Sequence, residues 1–170
     1  TGLRNGWGFN LPTAKILSAF DAAGDVRRKA ATVMSEAELV SFGGSKAGSP
    51  WDYEGGIRTK YAPRDSETSA GGVKEANFGT NFRLFRFAEV LLLAAEAYNK
   101  EGQDDNARIE LNKIRNRAGL ADVSPSLTGA NLFDAIANEK FLELAFEGQR
   151  FWDLVRWGKA NAELSSKGYT

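Results

Sequence analysis

Residues 83–100 (RLFRFAEVLLLAAEAYNK) constrain this chain most. From Phe87 to Ala95 the only polar residue is Glu89. A helix with so little polar surface must be covered on more than one side. Glu101-Gly102 ends it, and a second helical stretch follows over residues 105–117, with Asp104 or Asp105 as its cap and Gly119 as its stop. Two helices joined by so tight a turn form an antiparallel hairpin. Small Ala95 and Ala107 let the two backbones approach, while Tyr98, Leu111 and Ile114 fill the gaps, the pattern of a tetratricopeptide-type unit. One such unit cannot bury its own faces and needs neighbours.

Beyond the hairpin, Phe133, Ile136, Ala137, Phe141, Leu144 and Ala145 recur at helical spacing and predict a helix over residues 131–147 with Asn131 as its cap. Gly148 breaks it, and a last helix carries Phe151 to Trp157. Towards the front, Pro12 with Ile16, Leu17 and Phe20 predicts a short helix over 11–20, ended by Asp21 to Asp25 with Gly24. Arg27-Arg28-Lys29 reads as a solvated turn. Twelve of the 18 glycines fall within residues 1–80, so long irregular loops are expected over 40–80, with one short strand around Ile57–Tyr61. The expected architecture is mainly α: a tetratricopeptide-like hairpin plus further packed helices. It forms a single region, residues 1–170, loop-rich over 1–80 and helical over 81–160.

Composition removes several chemistries. The 170 residues include no His and no Cys. That excludes Ser-His-Asp or Cys-His catalysis, ordinary zinc sites and disulfides. Lys plus Arg (22) balance Asp plus Glu (22), which argues against nucleic acid as a partner. The longest apolar run, Val90 to Ala95, is far short of the roughly 20 residues that span a bilayer. Residues 1–10 hold no apolar stretch of the kind that targets secretion, and Met34 is the only Met. The chain is therefore expected to be a mature or excised piece of a longer protein. No cofactor and no metal are expected.

Several blocks, taken in order, carry a family resemblance. They run Arg86-Phe87-Ala88-Glu89-Val90-Leu91-Leu92, Ala95-Glu96-Ala97-Tyr98-Asn99 and Leu111-Asn112-Lys113-Ile114-Arg115-Asn116-Arg117-Ala118-Gly119-Leu120. Then come Glu139-Lys140, Glu143-Leu144, Glu147-Gly148-Gln149-Arg150-Phe151 and Asp153-Leu154-Val155-Arg156-Trp157-Gly158. Gly6-Trp7-Gly8-Phe9 and Thr59-Lys60-Tyr61 fit at the front. Together they resemble the C-terminal half of the SusD/RagB family of nutrient-binding outer-membrane lipoproteins. The resemblance implies a non-enzymatic protein on the surface of a Gram-negative bacterium. It would capture oligosaccharides, or in some members peptides, for a SusC-like TonB-dependent transporter. The chain is about a third of the family's usual length, so the lipid anchor is expected in a missing N-terminal part.

A sugar presents a flat face of C–H groups on which an aromatic ring can stack. Trp7, Trp51 and Tyr53 lie in Gly-rich stretches and are candidate platforms, with Asp52, Glu54, Arg58 or Asn5 to bond hydroxyls. Equally, such rings pin loops onto helices. Trp152 and Trp157 read as packing residues. Glu139, Glu143 and Glu147 lie four apart among many Arg residues. Interhelical Arg–Glu bridges are expected there, since an Arg beside a carboxylate keeps it ionised and unfit as a general acid. Asp104-Asp105-Asn106 reads as helix capping and not as a calcium loop, which needs about 12 residues with spaced ligands. The rival reading is a tetratricopeptide-like protein-interaction scaffold with no ligand site of its own.

Overall fold

Ala88, Leu92 and Ala95 fall on one helical face, and they set the packing of the helical half. The computed structural model describes residues 10–41, 53–62, 67, 81 and 83–168. It divides into two units, Thr1–Leu84 and Phe85–Thr170.

The first unit carries α1 (Ala14–Ala23), α2 (Val26–Thr32), β1 (Val33–Ser35), α3 (Glu36–Ser41) and β2 (Gly56–Arg58). Ile16 and Phe20 are the buried residues of α1, which stops at Gly24 in a left-handed conformation. The basic run Arg27-Arg28-Lys29 lies on α2 and is not a solvated turn. Asp25 explains the difference. Its carboxylate caps α2 by accepting from the Arg28 amide at 3.0 Å, and it also holds the Arg28 guanidinium, so Arg28 is buried. Lys29 pairs with Asp21.

β1 and β2 form a two-stranded antiparallel ladder with Val33 opposite Arg58, Met34 opposite Ile57 and Ser35 opposite Gly56. The strand is thus shorter than expected. Tyr61 lies past it in a turn closed by a 2.9 Å bond from the Ala62 amide to the Thr59 carbonyl. Gly56 fits closely here. A Cβ on it would sit 3.1 Å from Leu17 Cδ1 and 3.2 Å from Pro12 Cβ, so a larger residue would push Leu17 or Pro12 back by a few tenths of an ångström.

The second unit holds α4 (Phe87–Lys100), α5 (Asp104–Ala118), α6 (Gly129–Glu143), α7 (Gln149–Arg156), α8 (Ala160–Leu164) and a short 3₁₀ turn, Ser165–Lys167. α4 and α5 form the expected hairpin, and α6 packs against both. The core is built from Ala88, Leu92 and Ala95 of α4, Ala107, Leu111 and Ile114 of α5, and Leu132 and Ile136 of α6, with Leu144. Ala95 and Ala107 are fully buried, which is what lets the two backbones come together.

Three boundaries differ from expectation. Asp104 is the first residue of α5, not its cap. Its carboxylate accepts from Asn99 Nδ2 and from the Gly129 amide, both at 2.8 Å, and so ties the end of α4 to the start of α6. α6 begins at Gly129 after Thr128, ahead of Asn131, and ends at Glu143. It stops short of residue 147 because Phe146 takes a left-handed backbone (φ 64°) that no helix tolerates.

Cover for α4 is one-sided. Its two carboxylates, Glu89 and Glu96, point inward and are buried, while Phe87, Val90 and Leu93 are exposed. Trp152 is 65% exposed, against its reading as a packing residue, whereas Trp157 is half-buried. Five residues at about 100° each place the two rings roughly 140° apart around a helix. Leu154 and Asp153 are the inward residues of α7, and Trp157 falls one turn after Asp153. No helix among the described residues is long and apolar enough to cross a membrane.

Candidate functional site

The segment 53–58 is the described part of the expected sugar-binding cluster. Tyr53 is half-buried, and its hydroxyl donates to Glu36 Oε2 at 2.9 Å. Burial, and then that bond to the carboxylate, push the Tyr53 phenol above its ordinary value. It therefore stays a neutral donor, with its ring anchored to the first residue of α3. Glu54 accepts from the Ala14 amide at 2.5 Å, so it serves the exposed start of α1 and is committed to the fold. Arg58 lies at the end of β2, half-buried; its backbone pairs opposite Val33, and its side chain makes no hydrogen bond or ion pair with any described residue. Trp7, Trp51, Asp52 and Asn5 lie outside the described residues.

One further aromatic in this unit is not among the candidate platforms. Tyr61 is exposed with a left-handed backbone (φ 58°), and the Arg83 guanidinium lies 5.9 Å from its ring centre. Its place beyond the strand follows from β2 ending at Arg58, three residues earlier.

The charged residues of the second unit form bridges, as their pattern implied. Arg86 bonds Glu143 Oε1 and Glu147 Oε2, each at 2.7 Å, and the Glu143 carbonyl at 3.0 Å. Arg117 also bonds Glu143, and Arg115 reaches Glu139 at 3.1 Å. A second knot lies around Glu96. It accepts from Arg156 and, at 2.8 Å, from the Trp157 indole, and Lys140 stands 3.5 Å away. Lys140 also bonds Asp153 at 2.8 Å. Trp157 packs edge-on against Phe133 with ring centres 5.3 Å apart.

Burial raises the pKa of Glu143, but the bonds from Arg86 and Arg117 outweigh it and hold the group below the ordinary carboxylate value. In Glu96, burial is likewise outweighed by Arg156 and Trp157. Groups held ionised in this way are poor general acids. A lowered pKa contributes stability above the unfolded value, and that contribution is lost as pH falls through the folded value. The melting temperature of this unit should therefore drop steeply below pH about 4, measured by circular dichroism.

The chain matches the SusD family over residues 4–170. It is similar to SusD-like protein P2 of Formosa agariphila, 28% identical over 96% of this chain and 34% of that protein. Starch-binding protein SusD of Bacteroides thetaiotaomicron is 39% identical over 46% of this chain and 13% of its own length. Among solved structures, a laminarin binding SusD-like protein superposes with a TM-score of 0.82 at 30% identity, covering 99% of this chain and 34% of that one. The chain thus spans about a third, or less, of the length of these relatives. With residues 4–170 of the chain matching the family, and the mainly helical fold superposing on a solved relative, this chain belongs to the SusD family.

Proposed function

We propose that this chain is part of a cell-surface glycan-capture protein, which binds oligosaccharides and does not cleave them. The observation that carries this reading is the likeness over nearly the whole chain to a laminarin binding SusD-like protein, joined by the likeness to a starch-binding one. Trp51 and Trp7 stack on sugar rings, Tyr53 adds a ring anchored by Glu36, and Asp52 and Arg58 bond hydroxyls. The bound sugar passes to a SusC-like TonB-dependent transporter at the outer membrane. Trp51→Ala is expected to weaken binding of laminarin or starch oligosaccharides about tenfold, read by calorimetric titration. An unchanged affinity would remove the stacking role.

A second reading is a protein-interaction scaffold. The outward face of α4 favours it, because Phe87, Val90 and Leu93 present apolar surface while the helix turns its carboxylates inward. On that reading Trp51→Ala changes no affinity.

A further inference from the structure

The start of α4 lies beside the end of α5, and a groove of about 490 Å³ opens between them. That volume is within the range of sites that take a small ligand or a few side chains. Ala88 and Ile114 are buried and Leu91 is half-buried, and these three make an aliphatic floor beside the exposed Phe87. Arg86, Lys113 and Arg117 complete the lining, and no Asp or Glu joins them among the described residues. Each cation does have a carboxylate: Arg86 holds Glu143 and Glu147, Arg117 holds Glu143, and Lys113 holds Glu110. Glu143 and Glu147 are almost wholly buried, however, whereas the Lys113 and Arg117 side chains are about half exposed. A ligand entering the groove therefore meets positive charge around an apolar floor.

We propose that this groove docks an acidic amphipathic peptide segment of a partner protein, with apolar side chains resting on Ala88, Leu91 and Ile114 and carboxylates meeting Arg86, Lys113 and Arg117. Charge complementarity selects the acid, because an anionic segment is drawn to a rim of cations and a cationic one is repelled. A guanidinium carries five N–H donors, so one that already bonds a carboxylate keeps donors for another. The floor selects the apolar part. An oligosaccharide laid on it would leave hydroxyls without partners, whereas leucine-like side chains would lose only water-exposed apolar surface. Segments with one apolar and one polar face dock in grooves of this kind. The site is independent of glycan capture, whose candidate residues all precede α4.

The test titrates the 170-residue chain into a short fluorescein-labelled amphipathic peptide of Leu and Glu, followed by fluorescence anisotropy, beside the same peptide with Lys in place of Glu. The acidic peptide should bind saturably with a dissociation constant of roughly tens to hundreds of micromolar, and the basic one roughly tenfold more weakly or less. Lys113→Glu should weaken the acidic peptide about fivefold, and Phe87→Ala by a similar factor. Both side chains are exposed, so both variants should fold as the wild type does, checked by circular dichroism. Salt at about 1 M, where charges are screened beyond about 3 Å, should also weaken binding. Equal binding of the two peptides, or no effect of Lys113→Glu, would overturn the selection by charge. No saturable binding by the folded chain, or binding untouched by Phe87→Ala, would overturn the groove as the site. If a variant does not fold, the two peptides on the wild type still decide. A chain that dimerises in sedimentation and excludes the peptide would overturn the proposal too, because a second copy would then fill the groove.

Discussion

Replacing Glu143 by Gln is expected to lower the melting temperature of the helical unit by roughly 6–12 °C. Glu143 is almost wholly buried, and it receives Arg86 from the start of α4 and Arg117 from α5. It therefore joins three helices at one carboxylate. Gln keeps the volume but removes the charge, leaving two guanidiniums facing a neutral oxygen in a poorly solvated place. Breaking a buried ion pair from one side costs about 3–5 kcal/mol. Arg117 is more than half exposed and Arg86 keeps Glu147, so the lower end applies. About 3 kcal/mol converts at roughly 2–4 °C per kcal/mol for a chain of this size. The check is thermal unfolding followed by circular dichroism at pH 7. An unchanged melting temperature in a well-folded variant would show the bridge to be dispensable.

Leu111→Ala should be of similar size for a different reason. Leu111 is fully buried on α5 in one cluster with Leu92, Ala95 and Ile114. Removing its branched end leaves a cavity inside the core shared by α4, α5 and α6, among neighbours that are themselves fully buried. Such truncations cost about 2–5 kcal/mol, and a site this constrained belongs in the upper half of that range. In urea the unfolding midpoint should fall while the slope stays as in the wild type, because the surface exposed on unfolding is nearly unchanged. A midpoint within error of wild type would mean that α4 and α5 do not pack through Leu111.

The hairpin was legible because it depends on local periodicity. Ala95, Ala107, Leu111 and Ile114 fall at spacings that only a helix turns into one face, and all are buried. The Glu–Arg bridges were legible because four-residue spacing on α6 aligns carboxylates. What stayed hidden depends on contacts between distant residues or on single backbone angles. Glu54 reaches Ala14 across forty residues, and no spacing rule announces that it completes the start of α1. Arg28 turns from a solvent residue into a buried one through Asp25, a capping residue read only as the end of the preceding helix. The end of α6 is set by the left-handed Phe146, a conformation that Phe rarely adopts and the sequence does not mark. Trp152 on α7 and Trp157 at its C-terminal cap differ in exposure, since five residues do not return to the same face. Of the candidate site residues, Tyr53 and Arg58 fall within the described segment 53–58. Tyr61, with Arg83 over its ring, was missed as a candidate because it was read as part of a strand.

The central claim is glycan capture without turnover, and calorimetric titration of the folded chain with laminarin and starch oligosaccharides tests it most directly. The account predicts saturable binding to at least one of them, with a dissociation constant of roughly tens of micromolar to millimolar, as for an open site with few stacked rings. It also predicts that the oligosaccharide is recovered uncleaved. No binding by a chain shown to be folded, or release of new reducing ends from the sugar, would contradict it.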